Sequence, residues 1–338
     1  MTGISISGIS LLSSFLISFS LMPLGMKLAK RIGILDRPST PLKSHEAPMP
    51  CLGGEVMFSA FLISVILAHI LGMRISSHVT GIMIGSAMIM AAGLVDDIRP
   101  LGPIMKLTVQ TLCAFVLIKF DVVMRVEVFP DPLNFILTII WTVAITNAMN
   151  FLDIMDGLAA GVAAIASISF FLIALPTEQP HVNILSAALI GAILGFLPYN
   201  FPKASTFMGD AGSMFLGFAL AGTAVSASYT KINNIAMFAP ILILGIPIYD
   251  MVFVTILRLI YGKSILRGSP DHFALRLKAF GLSPMGSVLI VYAMSALLGL
   301  CAFAVTRVKA DTALLIYILV FVAAVVTSRV MAGVKVDR

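Results

Sequence analysis

Apolar residues along this chain come in long runs separated by short polar breaks, not in the one-sided rhythm of a helix lying on a soluble core. Reading the runs between breaks predicts eleven helices, at roughly 4–27, 53–72, 79–95, 103–119, 133–150, 157–176, 182–199, 211–229, 235–261, 285–306 and 311–331. Each is near the ~20 residues a helix needs to cross a hydrocarbon core of ~30 Å. Gly191, Gly245 and Pro247 fall inside such runs. They are compatible with spanning helices, because neighbouring helices can satisfy backbone groups freed by a break. The expected architecture is an all-α integral membrane protein with about 11 transmembrane helices, forming a single polytopic domain over residues 1–338.

Composition strengthens this picture. Charged residues make up 11% of the chain and hydrophobic ones 59%, whereas soluble domains carry about 25% charge. Nothing is left over for a separate soluble domain. Cys51, Cys113 and Cys301 are far apart, without disulfide or metal-ligand spacing, and read as ordinary apolar residues. The first run lacks a basic flank before it and ends in Met26-Lys27-Leu28-Ala29-Lys30-Arg31 without a small-residue cleavage site. It reads as a first span, not a removed signal peptide.

The net charge of +6 is dispersed through the loops, so no nucleic acid is expected as a partner. Of the 22 Lys and Arg residues, all but Arg74, Lys119, Arg125, Lys231, Arg307 and Lys309 fall on one face of the predicted topology. The positive-inside rule then puts the N-terminus outside and the C-terminus in the cytoplasm. This predicts a multi-pass protein of the cytoplasmic (inner) membrane, with cytoplasmic loops at about 28–52, 96–103, 150–157, 200–211 and 262–284.

That same face collects the unusual polar clusters, which no topology rule requires. Asp96-Asp97 closes the third run, where unpaired carboxylates cost about 2.5–3.5 kcal/mol each on insertion scales. The pair either binds a cation or forms a helix-end salt bridge with Lys106. In Asn147-Ala148-Met149-Asn150-Phe151-Leu152-Asp153-Ile154-Met155-Asp156-Gly157 the residues Asn147, Asn150 and Asp153, with Asp156 following, make a polar stripe if the segment is helical. Amide and carboxylate oxygens of this kind suit Mg²⁺ carrying substrate phosphates. The alternative is helix capping, for which one such residue suffices.

Gly209-Asp210-Ala211-Gly212-Ser213 precedes the eighth run, either as a plain N-cap or as an anion-holding turn. Arg267-Gly268-Ser269-Pro270-Asp271-His272-Phe273-Ala274-Leu275-Arg276 lies in a basic loop between the ninth and tenth runs. Its Arg and His suit a diphosphate, if they do more than set topology. His69, His78 and His181 fall in spans or outer loops and are assigned no catalytic role.

Taken in order, these segments resemble the polyprenyl-phosphate N-acetylhexosamine-1-phosphate transferases, over about Asp36 to Ser283. Asp36-Arg37-Pro38, Lys43-Ser44-His45 and Pro50-Cys51-Leu52-Gly53-Gly54 look like the family's first cytoplasmic loop, with Cys51 where an arginine is common. Gly93 to Asp97, followed by Lys106 and Gln110, looks like its aspartate-pair motif, and Asn147 to Gly157 like its NAxNxxDxxDGL signature. Phe207-Met208-Gly209-Asp210 looks like its FMGD segment, and Pro247-Ile248-Tyr249-Asp250 with Arg258 like another recurring stretch. Where several members carry two or three consecutive histidines, this chain keeps only His272, followed by Arg276.

The resemblance implies an enzyme that transfers a sugar-1-phosphate, foremost GlcNAc-1-phosphate, from a UDP-N-acetyl sugar to undecaprenyl (polyprenyl) phosphate. UMP is released, and the product is the first lipid-linked intermediate of a cell-envelope polysaccharide. It implies Mg²⁺, replaceable by Mn²⁺, on Asn150 and Asp210. Asp96, Asp97, Lys106, Asp153, Asp156, His272 and Arg276 are the implied catalytic group. Lys43, His45, Asn147, Phe207 and Asp250 are the implied substrate contacts, Phe207 lying against uracil. Membrane lipids and a second copy in a homodimer complete the expected partners. A phospho-N-acetylmuramoyl-pentapeptide transferase is the alternative within the family, and a secondary transporter the alternative outside it.

Overall fold

The computed structural model describes residues 3–37, 47–262, 269–334 and 336, with side chains from residue 5 onward. The chain falls into two compact units, Met1–Ala227 and Ser228–Arg338.

In the first unit the helices are α1 (Gly3–Ile32), α2 (Gly53–Ile70), α3 (Ser77–Ile98), α4 (Pro103–Lys119), α5 (Asp131–Leu152), α6 (Leu158–Ala174), α7 (Pro180–Asn200) and α8 (Gly209–Ser226). A two-residue antiparallel pairing joins β1 (Leu35–Asp36) to β2 (Met49–Pro50). α7 is almost wholly enclosed, packing on α1, α2 and α6. With no hydrophobic driving force between helices in lipid, small residues and side-chain hydrogen bonds drive such contacts. α1 presents Ser7, Ser10, Ser14 and Ser18, all buried, and Ser14 and Ser18 donate to the carbonyls of Ala188 and Ala192 at 2.7 and 2.8 Å. A Cβ at Gly195 would lie 2.6 Å from the Ser18 Cβ, so only glycine allows this approach.

α8 packs against α3 and α5. The sole tryptophan, Trp141 on α5, donates its indole N–H to the Ala221 carbonyl of α8 at 3.3 Å.

The second unit comprises a 3₁₀ turn (Asn234–Phe238), α9 (Ala239–Ile243), α10 (Gly245–Ile260), α11 (Phe273–Ala279), α12 (Pro284–Val305) and α13 (Ala310–Ala332). All eleven predicted runs are helical, but they are not equally able to span. Among the described residues eight helices are long and apolar enough, namely α1, α2, α3, α5, α6, α7, α12 and α13. A ninth span exists if the bent pair containing α9 and α10 counts as one.

The run predicted as one helix at 235–261 is bent by 71° at this break. Pro247 lacks the amide that would bond the Ile243 carbonyl, and its ring would clash with that carbonyl, so the helix cannot run straight through. α4, with 17 residues, is about 26 Å long and sits at the short limit for a full crossing. α8 carries Asp210 and many small residues, which lower its hydropathy.

Candidate active site

Five segments of the first unit converge on one acidic cluster. α3 delivers Asp96 and Asp97 in its last turn, and the start of α4 delivers Lys106. The end of α5 carries Asn147 and Asn150, followed by a turn with Asp153 and Asp156, and the start of α8 brings Asp210.

The turn departs from the stripe expected of a continuous helix. α5 stops at Leu152, Asp153 adopts φ −80° and ψ 62°, and Gly157 sits in the left-handed region ahead of α6. Asp and Gly favour such a turn because the carboxylate bonds nearby amides and glycine takes positive φ freely. Asp156 and Asn200 fasten the turn to the following loop: Asp156 accepts from the Ala204 amide at 2.9 Å, and Asn200 accepts from Gly157 N and donates to the Thr206 carbonyl, both at 2.9 Å. Asn200 is a structural clasp absent from the predicted set. The signal for it was a polar residue closing an apolar run.

At the centre Lys106 bridges two carboxylates, with its ammonium 2.6 Å from Asp96 and 2.5 Å from Asp210. Asp96 also accepts from the Leu101 amide at 2.6 Å. Asn150 donates to Asp210 and to Ser213, both at 2.9 Å. Asn147 stands one turn back and pairs side chain to side chain with Gln110, at 2.6 and 3.3 Å.

Asp97 takes a different part. Its two oxygens accept from the amides of Asp210, at 2.8 Å, and Ala211, at 3.1 Å, so it caps α8 from another helix. The chain reaches this position through Gly209 at φ +70°, where a Cβ would run into the Asp97 carboxylate and lie 2.8 Å from the Cys51 sulfur.

Asp153 alone in the cluster accepts no hydrogen bond from a described side chain or amide. Desolvation, and then the negative charges of Asp210, Asp97, Asp156 and Asp36, push its carboxyl up to about 7. Phe207, half-buried, is held through its backbone, its amide bonding Pro50 O at 2.9 Å and its carbonyl accepting from Gly53 N at 3.0 Å. Lys43 and His45 lie outside the described residues.

The second unit holds a separate arrangement. Asp250 of α10 accepts from His272 Nδ1 and from the Phe273 amide, each at 2.7 Å. The imidazole is thereby fixed, and its Nε2 makes no hydrogen bond to any described group. Arg276, 3% exposed, is held by Asp271 at 2.7 Å and donates to the carbonyls of Met331, at 2.8 Å, and Val334, at 2.6 Å. The guanidinium thus caps the C-terminus of α13, with the Phe253 ring beneath it. Sequence reading named His272 and Arg276 but not these carbonyl partners, which follow only from the tertiary fold.

A cation fits the first unit's cluster by charge. Asp96, Asp97, Asp153 and Asp210 face one lysine, leaving a carboxylate surplus. Among the described residues no three His, Cys, Asp or Glu side chains are placed to hold a metal by themselves. An ion there would rest on one or two carboxylates, water and substrate phosphates, which is the habit of Mg²⁺.

Residues 79–228, which contain every described member of this cluster, match the profile of Glycosyl transferase family 4. The chain is 32% identical to the probable undecaprenyl-phosphate N-acetylglucosaminyl 1-phosphate transferase of Bacillus subtilis (strain 168), over 84% of this chain and 80% of that one. It is 31% identical to the decaprenyl-phosphate N-acetylglucosaminephosphotransferase of Mycobacterium tuberculosis (strain CDC 1551 / Oshkosh), over 84% and 78%. It is 30% identical to the phospho-N-acetylmuramoyl-pentapeptide-transferase of Listeria welshimeri, over 78% and 88%. With the profile covering the acidic cluster and the relatives covering most of its length, this multi-pass membrane chain belongs to glycosyl transferase family 4.

Proposed function

We propose that this protein transfers GlcNAc-1-phosphate from a UDP-linked donor to undecaprenyl or a similar polyprenyl phosphate, releasing UMP. The single observation that carries the reading is the Lys106–Asp96–Asp210 bridge beside the unbonded Asp153, a cradle whose surplus of carboxylates is open to a cation carrying substrate phosphates. The Bacillus subtilis and Mycobacterium tuberculosis relatives, named for N-acetylglucosamine transfer, each match 84% of this chain against 78% for the muramoyl-pentapeptide relative of Listeria welshimeri, and they direct the sugar assignment.

The reaction is a displacement at phosphorus. An oxygen of the lipid phosphate forms the new P–O bond to the sugar-bearing phosphorus, and the bond to the UMP oxygen breaks with its electron pair leaving on UMP. Catalysis of such a step is chiefly positioning and neutralisation of charge. Lys106 supplies a fixed cation to the diphosphate, Asp97 holds the start of α8 in place, and Asp153 orients the acceptor phosphate and holds its proton. Asp96 aims Lys106, and Asp156 fixes the turn that carries Asp153. Phe207 offers a ring face to the uracil.

Asp210 and Asn150 would hold Mg²⁺, which when bound supplies charge stabilisation to the diphosphate. In the second unit Asp250 fixes the His272 ring through Nδ1 and leaves Nε2 free for a ligand, and Asp250 and Arg276 act as positioning residues for their loop.

The reading places about eleven helices across the bilayer of the cytoplasmic membrane, N-terminus outside, with the cluster facing the cytoplasm where the nucleotide sugar is made. The rarity of bases on the opposite face supports this orientation.

The test is to incubate purified protein with undecaprenyl phosphate, labelled UDP-GlcNAc and Mg²⁺, with and without EDTA. Label should enter the lipid phase in step with UMP release, and both should vanish with EDTA or in Asp210→Asn. Absence of transfer by folded protein from any UDP-N-acetylhexosamine would overturn the assignment.

A further inference from the structure

Glu55, in the first turn of α2, has no part in the chemistry above. Both its carboxyl oxygens are buried and bond to no other residue. Burying an ionisable group without a partner is unfavourable enough that such a residue within a membrane span points to a ligand. Glu55 lines a groove of about 390 Å³ whose other walls are Leu21, Leu24 and Leu28 of α1 with Leu52 and Val56 at the start of α2. Leu24 and Leu28 are at least half exposed, so the groove opens toward the lipid side of α1.

The charge pattern at this groove is two-signed. Leu21, Leu24 and Leu28 follow one another at helical spacing, and the next position on the same stripe is Arg31. Arg31 lies about 4.5 Å further along the axis than Leu28. It is exposed and pairs with no described residue. The apolar trough thus carries one buried carboxyl on its wall, and an exposed guanidinium stands about one turn past Leu28 on the α1 stripe.

We infer that this groove binds a zwitterionic phospholipid bearing a primary ammonium, of the phosphatidylethanolamine type. One acyl chain lies against Leu21, Leu24 and Leu28, the phosphate meets Arg31, and the ammonium donates to Glu55. Arg suits a phosphate through its fork of donors, and a carboxylate suits an ammonium with several N–H groups. A purely anionic headgroup satisfies Arg31 alone and is repelled by Glu55. A trimethylammonium headgroup carries the charge but no N–H to donate.

The experiment is native mass spectrometry of detergent-purified full chain after equilibration with equimolar phosphatidylethanolamine, phosphatidylglycerol and phosphatidylcholine of identical acyl chains. One phosphatidylethanolamine per chain should be retained in preference to the others. Glu55→Gln should reduce that preference about tenfold, the scale of one charge-assisted hydrogen bond, while leaving chain binding. Leu24→Trp, at an exposed position where folding is undisturbed, should fill the trough and abolish retention of all three lipids. Equal retention of the three headgroups, unchanged selectivity in Glu55→Gln, or displacement of phosphatidylethanolamine by undecaprenyl phosphate would each overturn the inference. The readout is bound lipid mass, so it stands or falls separately from the transferase reading.

Discussion

Asp97 caps the helix that carries Asp210: its carboxylate accepts from the Asp210 amide at 2.8 Å and from the next amide, Ala211, at 3.1 Å. The two aspartates therefore have unequal duties, Asp97 holding backbone amides and Asp210 taking the side chains of Lys106 and Asn150.

Asp97, which accepts two amides, and Asp153, which accepts no hydrogen bond from a described group, should respond differently to substitution. Asp97→Asn replaces one acceptor oxygen by a donor facing an amide, and should destabilise the protein by about 1–3 kcal/mol while reducing transfer. Asp153→Asn breaks no hydrogen bond and should leave stability at neutral pH unchanged or slightly raised while reducing transfer comparably. Thermal unfolding in detergent, run beside the lipid-transfer assay, distinguishes the two. Equal destabilisation would contradict the capping role.

Asp153 also predicts a pH dependence. Its carboxyl is raised from the ordinary 3.8 to about 7 in the folded protein. Between those values the folded state keeps a proton that the unfolded state has lost, so this group makes stability fall as pH rises from about 4 to 7 and contributes no further slope above. In EDTA, the stability gain of Asp153→Asn over the parent should therefore grow from pH 5 to 7 and then level off. A gain independent of pH would refute the assignment. Addition of Mg²⁺ should shrink the gain, since a nearby cation favours the ionised carboxylate.

Lys106 is the common partner of Asp96 and Asp210. Lys106→Gln should lower kcat on the order of 10²–10³-fold, the scale of losing one preorganised charge contact. It should also destabilise the protein by leaving two carboxylates together. Adding Asp96→Asn should recover stability but not activity, because only the repulsion is relieved. Recovery of both would show that Lys106 is structural.

His272 and Asp250 should behave as one device, since the carboxylate fixes the ring through Nδ1 at 2.7 Å. His272→Asn and Asp250→Asn should each reduce kcat on the order of 10²-fold, and the double variant should be little worse than either single one. Multiplying effects would mean that Asp250 has a contact of its own.

The spans were readable because lipid demands apolar runs whatever their packing. The break at Leu244 was concealed, since Pro247 by itself is compatible with a kinked continuous span. Asn150, Asp210 and Lys106 are brought together much as their motifs implied. Their division of labour was not visible in order along the chain: Asp97 turned inward to backbone amides, Arg276 turned to the carbonyls ending α13, and Asn147 turned to Gln110. Such partners lie 37 to 114 residues away, where local periodicity carries no information. The wedge of serines on α1 and its seat on α7 likewise reveal themselves only once the two helices meet.

Trp141 gives the molecule its own optical gauge. As the only indole, bonded from α5 to the Ala221 carbonyl of α8, it straddles the two helices that carry Asn150 and Asp210. Its emission therefore registers any slip between them without an added dye. Titrating nucleotide sugar or divalent ion while following that single fluorophore would monitor occupancy of the acidic cluster in unlabelled protein, from a position well away from the reacting atoms.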